Sequence, residues 1–183
     1  MYGMLNMEEN IKFYLIDDER PILLTLDKII KKAFPNSDTV SYEDGIPAWQ
    51  ALQKETSTQI VIISDINMPV LSGIQLLKKV RTFEALKDTY FMVITSNNDA
   101  ETNIKALQAG ADDFLGKPFS VDQLIGKLRS AVRYIKQNRK MEIYQGEFEK
   151  IREEMDKDVQ VMHDMVKSFQ SLKLPEYAKS LDK

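Results

Sequence analysis

From Ile11 to about Gln137, short apolar runs alternate with longer stretches whose apolar residues recur every three or four positions. The short runs are Phe13–Ile16, Thr39–Tyr42, Ile60–Ile63, Phe91–Ile94 and Asp113–Leu115. Three are nearly continuous in Val, Ile, Phe and Leu, the pattern of strands buried on both faces. Phe114–Leu115 is short and is read as a strand because it keeps the rhythm. Between the runs lie helical patterns. Pro21 to Phe34 carries Leu23, Leu26, Ile29 and Ile30 on one face, with Pro21 suited to a first turn. Helices are also expected at Ile46–Lys54, Gly73–Thr82 and Ala100–Ala109, the last stopped by Gly110. Ser120, with Gln123 three residues on, has the spacing of a capping box and opens a fifth helix. Strand and helix alternating five times predict an α/β fold, a doubly wound five-stranded parallel sheet with helices on both faces. Right-handed crossovers leave few ways to order the strands.

The pattern changes near Asn138. Strand signals stop, and positions at alternating spacings of three and four read Met141, Tyr144, Phe148, Ile151, Met155, Asp158, Met162, Met165, Phe169 and Leu172. This is a coiled-coil-like seam with one polar interruption, Asp158. Its Met and aromatic content would let it pack adaptably. The preceding helix face, Leu124, Leu128, Ala131 and Ile135, does not continue into it in phase. A long C-terminal helix that changes its buried face is therefore expected, with Gly146 as a weak point costing about 1 kcal/mol. The chain divides on this reading into an N-terminal extension at 1–10, an α/β domain at 11–137 and a helical extension at 138–183.

Composition narrows the chemistry. The 183 residues carry a net charge of −3, so a generally basic nucleic-acid-binding surface is not expected. There is no cysteine, which excludes disulfides and thiolate sites, and a single histidine, His163, which excludes a multi-histidine metal site. No apolar run reaches the ~18 residues of a membrane span, and the first ten residues carry no signal-peptide core. The expectation is a cytoplasmic protein whose partners include neither nucleic acid nor membrane, and whose chemistry comes from carboxylates, hydroxyls and lysines.

Ligands of parallel α/β sheets bind outside the carboxyl ends of the strands. Asp17, Asp18 and Glu19 follow the first strand, and Asp65, Asn67, Met68 and Pro69 the third. Thr95 and Ser96 follow the fourth, and Lys117 and Pro118 the fifth. Two carboxylates ~4 Å apart repel by about 4 kcal/mol at an effective dielectric of 20. Lys117 supplies one counter-charge, and a hard oxygen-liganded cation such as Mg²⁺, with Mn²⁺ as the alternative, would supply the rest. A carboxylate so placed is a competent nucleophile toward a phosphoryl group.

These residues resemble the receiver domain of bacterial response regulators (CheY-like), the phospho-accepting partners of sensor histidine kinases. The matching segments are LIDDE at Leu15–Glu19, SDINMPVLSG at Ser64–Gly73, VITS at Val93–Ser96 and FLGKPF at Phe114–Phe119. The resemblance covers about Ile11 to Gln137. It implies a flavodoxin-like sheet, Asp65 as phosphoacceptor, and Mg²⁺ held by Asp17, Asp18, Asp65 and the Asn67 backbone carbonyl. It further implies Thr95 as a switch hydroxyl, Phe114 as the aromatic that follows it, and Lys117 as the cation that pairs with the acidic cluster. The Lys117–Pro118 bond would be cis. Ser96 stands where a smaller Ala is common, and Asn67 and Asn97 stand where phosphate lifetime is tuned. The implied partners are a sensor histidine kinase or phosphotransfer protein and a downstream protein, with no enzymatic activity beyond self-phosphorylation and self-dephosphorylation.

Each residue also has a plainer reading. Asp17–Asp18 suits a turn and helix cap, Asp65 before Pro69 and Gly73 suits turn chemistry, and Lys117 suits surface charge. Four motifs in order, each after a predicted strand, outweigh these. Trp49 reads as packing, and His163 as an exposed helix residue rather than a phosphotransfer histidine. The 46 residues after Gln137 are too few for a winged-helix output domain. Output is expected through protein–protein contact or a homodimer formed by the 141–172 helix. The alternative is a receiver and signalling helix of a longer regulator, with Lys173–Glu176 as a junction to an enzymatic output domain. A haloacid-dehalogenase-type phosphatase would want an acid at position 67, where Asn67 stands.

Overall fold

A computed structural model describes residues 11–57, 59–96 and 100–171. Asn97, Leu172 and Lys173–Glu176, singled out above, lie outside the described residues. The elements alternate as β1 (Lys12–Ile16), α1 (Arg20–Ala33), β2 (Asp38–Tyr42), α2 (Gly45–Leu52), β3 (Ile60–Asp65), α3 (Gly73–Thr82), β4 (Tyr90–Thr95), α4 (Ala100–Gln108), β5 (Asp113–Gly116) and α5 (Val121–Ser171). All strands pair in parallel, in the order β2-β1-β3-β4-β5. Chain order and spatial order part at β1, which lies between β2 and β3, and this is where such sheets open a crevice at their carboxyl edge.

The period-2 alternation of β-strands sorts the core into two layers. Phe13, Leu15, Val61, Ile63, Met92 and Ile94 pack against Leu23, Leu26 and Ile30 of α1 and Leu124, Leu128 and Ala131 of α5. Tyr14, Ile16, Ile60, Ile62, Phe91 and Val93 face the other way, onto α2, α3 and α4 through Leu52, Leu76, Leu77, Val80 and Ala106. Every residue of β3 and β4 is buried, which explains why those strands read as unbroken apolar runs. Trp49 packs edge-on against Phe83 at 5.6 Å, the packing role its sequence position suggests.

Helix starts follow local chemistry. Ser120 and Gln123 form the expected capping box, each bonding the other's backbone N–H. Ser72 and Gln75 form a second one at α3, with the same three-residue spacing in the sequence. Arg81, near the end of α3, donates to the carbonyls of Gly110, Lys87 and Thr89 and to Asp112 at 2.6–2.9 Å. Gly110 ends α4 with φ at +97°, a conformation that favours glycine.

The chain divides into two units at Lys136 and Gln137. The second unit is helical to Ser171, runs through Gly146 without a break, and exposes every residue from 141 to 171. His163 is among the exposed residues. No described helix is long and apolar enough to cross a membrane.

Candidate phosphoacceptor site

The site grows from the carboxyl ends of four strands. At the end of β1, the Asp17 N–H donates to the Tyr42 carbonyl at 3.1 Å, extending the β-ladder by one residue. That bond fixes where the Asp17 carboxylate points. Its Oδ1 accepts the Glu19 N–H at 2.9 Å, and its Oδ2 accepts the Lys117 ammonium at 2.8 Å. Asp17 is 1% exposed, whereas Asp18 beside it faces solvent.

Asp65 is the last residue of β3 and is 4% exposed. Its Oδ1 lies 3.1 Å from the Lys117 Nζ, and its Oδ2 accepts the Asn67 N–H at 2.6 Å. Below it the chain turns tightly into α3. The Gly73 N–H donates to the Ile66 carbonyl, and a Cβ on Gly73 would lie 2.0 Å from the Asp65 carbonyl oxygen. Position 73 must therefore be glycine for Asp65 to keep its place, a close-approach role rather than a left-handed one.

Thr95 ends β4 and is fully buried. Its carbonyl accepts the Lys117 N–H at 2.7 Å, so β4 holds the backbone of the residue whose side chain reaches Asp17 and Asp65. The Lys117–Pro118 peptide is cis. Phe114 is half-buried against the layer formed with α2, α3 and α4, and the Lys127 ammonium lies 5.6 Å from its ring centre. Ser96 and Asn67 are exposed at the rim.

Direct contact thus joins Asp17, Asp65 and Lys117, and backbone bonds attach Thr95 and Asn67 to them. Phe114 stands on β5, packed against the layer of α2, α3 and α4. Glu19 contributes more than its sequence position suggests, since its carboxylate reaches Lys117 at 3.2 Å. Three carboxylates therefore touch one ammonium, a formal charge of −2. Burial raises the Asp65 carboxyl above its ordinary value, and Lys117 and the Asn67 N–H oppose this without cancelling it. Burial works against the Lys117 charge, but its bonds to Asp17 and Asp65 prevail and hold the ammonium above its ordinary value.

Among the described residues, no three acidic or histidine side chains form a ready metal cage. The donors at this edge are nonetheless all hard oxygens: two buried carboxylates with lone pairs to spare, the solvent-facing Asp18 carboxylate one residue beyond Asp17, and the carbonyl of Asn67 two residues beyond Asp65. Their unbalanced negative charge and lack of nitrogen or sulfur ligands suit a small oxygen-seeking cation that keeps waters, as Mg²⁺ does.

The profile of the response regulator receiver domain matches residues 13–129. Chemotaxis protein CheY1 of Helicobacter pylori is 33% identical over 121 residues, 64% of this chain and 94% of that one. The solved structure of Vibrio cholerae chemotaxis protein CheY4 is 29% identical, with a TM-score of 0.61 over 67% of this chain and 98% of that one. The receiver domain of a sensor histidine kinase from Pseudomonas aeruginosa PAO1, solved with a magnesium ion in its active-site cleft, shares the fold. Its TM-score is 0.60 at 23% identity, over 69% of this chain and 98% of that one.

Proposed function

Because the chain belongs to the response regulator receiver domain family, we propose that Asp65 accepts a phosphoryl group from a histidine kinase or phosphotransfer protein. A carboxylate oxygen of Asp65 attacks phosphorus, the P–N bond of the donor phosphohistidine breaks, and its electron pair returns to the imidazole nitrogen. Water later attacks the acyl phosphate and regenerates the carboxylate and inorganic phosphate. No other substrate is turned over.

The observation that carries this reading is the Lys117 ammonium set between Asp17 and Asp65 at the sheet's carboxyl edge. Lys117 neutralises charge on the phosphoryl oxygens as they arrive. Asp17, Asp18, Asp65 and the Asn67 carbonyl would hold Mg²⁺, which when bound supplies further electrostatic stabilisation of the phosphoryl oxygens. Mn²⁺ suits the same donors. The Thr95 hydroxyl turns from its buried position toward the phosphoryl group, Phe114 follows, and a downstream protein reads the altered surface. The helix from 141 onward pairs with a second copy of the chain.

Labelling from acetyl phosphate tests the assignment. The intact chain is expected to take up one hydroxylamine-sensitive phosphoryl group, lost with a chelator and in Asp65→Asn. Full labelling of Asp65→Asn would refute it.

A further inference from the structure

We propose that residues 141–171 pair with a second copy of this chain as a parallel, in-register coiled coil whose seam runs through Val159, leaving Asp158 on its flank. The inference rests on the homodimer reading above and adds orientation and register to it. The stripe to be covered is large: Phe148 is 67% exposed and Phe169 71%, with Ile151, Met155, Val159 and Met162 exposed between them.

Up to Met155 the stripe keeps the heptad spacing, alternating steps of three and four with Met141, Phe148 and Met155 at the a positions. A continued heptad would next put Asp158 in the seam, where an unpaired carboxylate is costly. A step of four instead reaches Val159, then Met162, Val166 and Phe169, with no polar residue in line. Two successive steps of four make a stutter, which a coiled coil absorbs by locally unwinding. The shift also places β-branched Val159 and Val166 at a positions, which continue the apolar seam.

Charge fixes the orientation. In this register the g flank carries Glu147, Glu154 and Asp158, and the e flank carries Arg152 and His163. A parallel pair sets a g residue against the position five on in the partner helix, an e residue for Glu147 and Asp158 and, across the stutter, the seam residue Val159 for Glu154. Glu147 then meets Arg152 of the second copy, and Asp158 meets His163. An antiparallel pair sets g against g, acid facing acid. The single interruption of the heptad and the single histidine of the chain thus become an interchain pair.

The chain has no cysteine, so single-cysteine variants of the full chain report on one position each. Under mild oxidation, Val159→Cys and Phe148→Cys are expected to cross-link at least tenfold more than Asp158→Cys. Cross-linking at Asp158→Cys but not Val159→Cys would overturn the register. A dimeric mass by light scattering with no cross-link at either Phe148→Cys or Val159→Cys would overturn the parallel orientation. A monomeric mass would instead refute the homodimer reading itself. As an independent check, Arg152→Glu is expected to weaken the dimer at least tenfold and Glu147→Arg in the same chain to restore it. No restoration would overturn the charge pairing.

Discussion

Replacing Lys117 with Met removes the cation from between two buried carboxylates while keeping a side chain of similar length. Among the described residues, Asp17 would retain the Glu19 N–H and Asp65 the Asn67 N–H. Both residues are almost wholly buried, so water offsets the lost ammonium poorly. Removing one partner of a buried ion pair costs about 3–5 kcal/mol, because the charge left behind is unpaired. At about 3–5 °C per kcal/mol for a domain of this size, the midpoint of thermal unfolding falls by roughly 10–20 °C. The loss depends on pH with a definite sign. The Asp65 carboxyl already sits above its ordinary value in the fold, and removing Lys117 lifts it further. A carboxyl whose pKa is raised by folding penalises the folded state once pH exceeds its unfolded value, near 4. The variant's deficit is therefore expected to be small near pH 4 and full near pH 8. Urea titrations of both proteins in chelator at these two pH values measure it. A deficit under about 1 kcal/mol at the higher pH, or one equal at both, would refute the placement of Lys117 as the counter-charge.

Gly73→Ala drives a Cβ to 2.0 Å from the Asp65 carbonyl oxygen, so the backbone must give way. We expect a loss of up to about 3 kcal/mol in urea unfolding, and acetyl phosphate labelling slowed by about 10²-fold in the folded protein as Asp65 moves. Glu55 offers a second pH test. Burial works to raise its carboxyl, but bonds from Lys12, Tyr14 and the Ser57 N–H outweigh this and lower it from 4.5 to about 2. Its stabilisation is present above the unfolded value and is lost as pH falls toward 2, so the wild type should lose ~1–2 kcal/mol more than Glu55→Gln across that window, after allowance for screening.

What the sequence makes legible follows from periodicity. β3 and β4 are buried on both faces, so their apolar runs needed no tertiary information to be read. The Ser120–Gln123 cap is local and was equally plain. The candidate site was readable for a related reason: each member sits within a residue or two of a strand end, and a parallel sheet gathers its strand ends at one edge. Interactions closed over long sequence distances were not readable. Arg81 bonds the chain around residues 87–89 and again at 110–112, and Glu55 meets Lys12 and Tyr14 across more than forty residues. Gly73 looked like a helix start, and only the packed backbone reveals what it makes room for. In the extension, strict heptad spacing leads through Asp158, and the proposed register through Val159 weighs the cost of an unpaired carboxylate in a seam, which spacing does not count.

The proposed seat of the phosphoryl group, Asp65, can be read chemically. Borohydride converts an aspartyl phosphate to homoserine, so reduction after acetyl phosphate and Mg²⁺ treatment, followed by peptide mass spectrometry, locates the modified residue. Homoserine is expected at position 65 and at no other aspartate. Homoserine at Asp17 or Asp18, with Asp65 unmodified, would contradict that assignment.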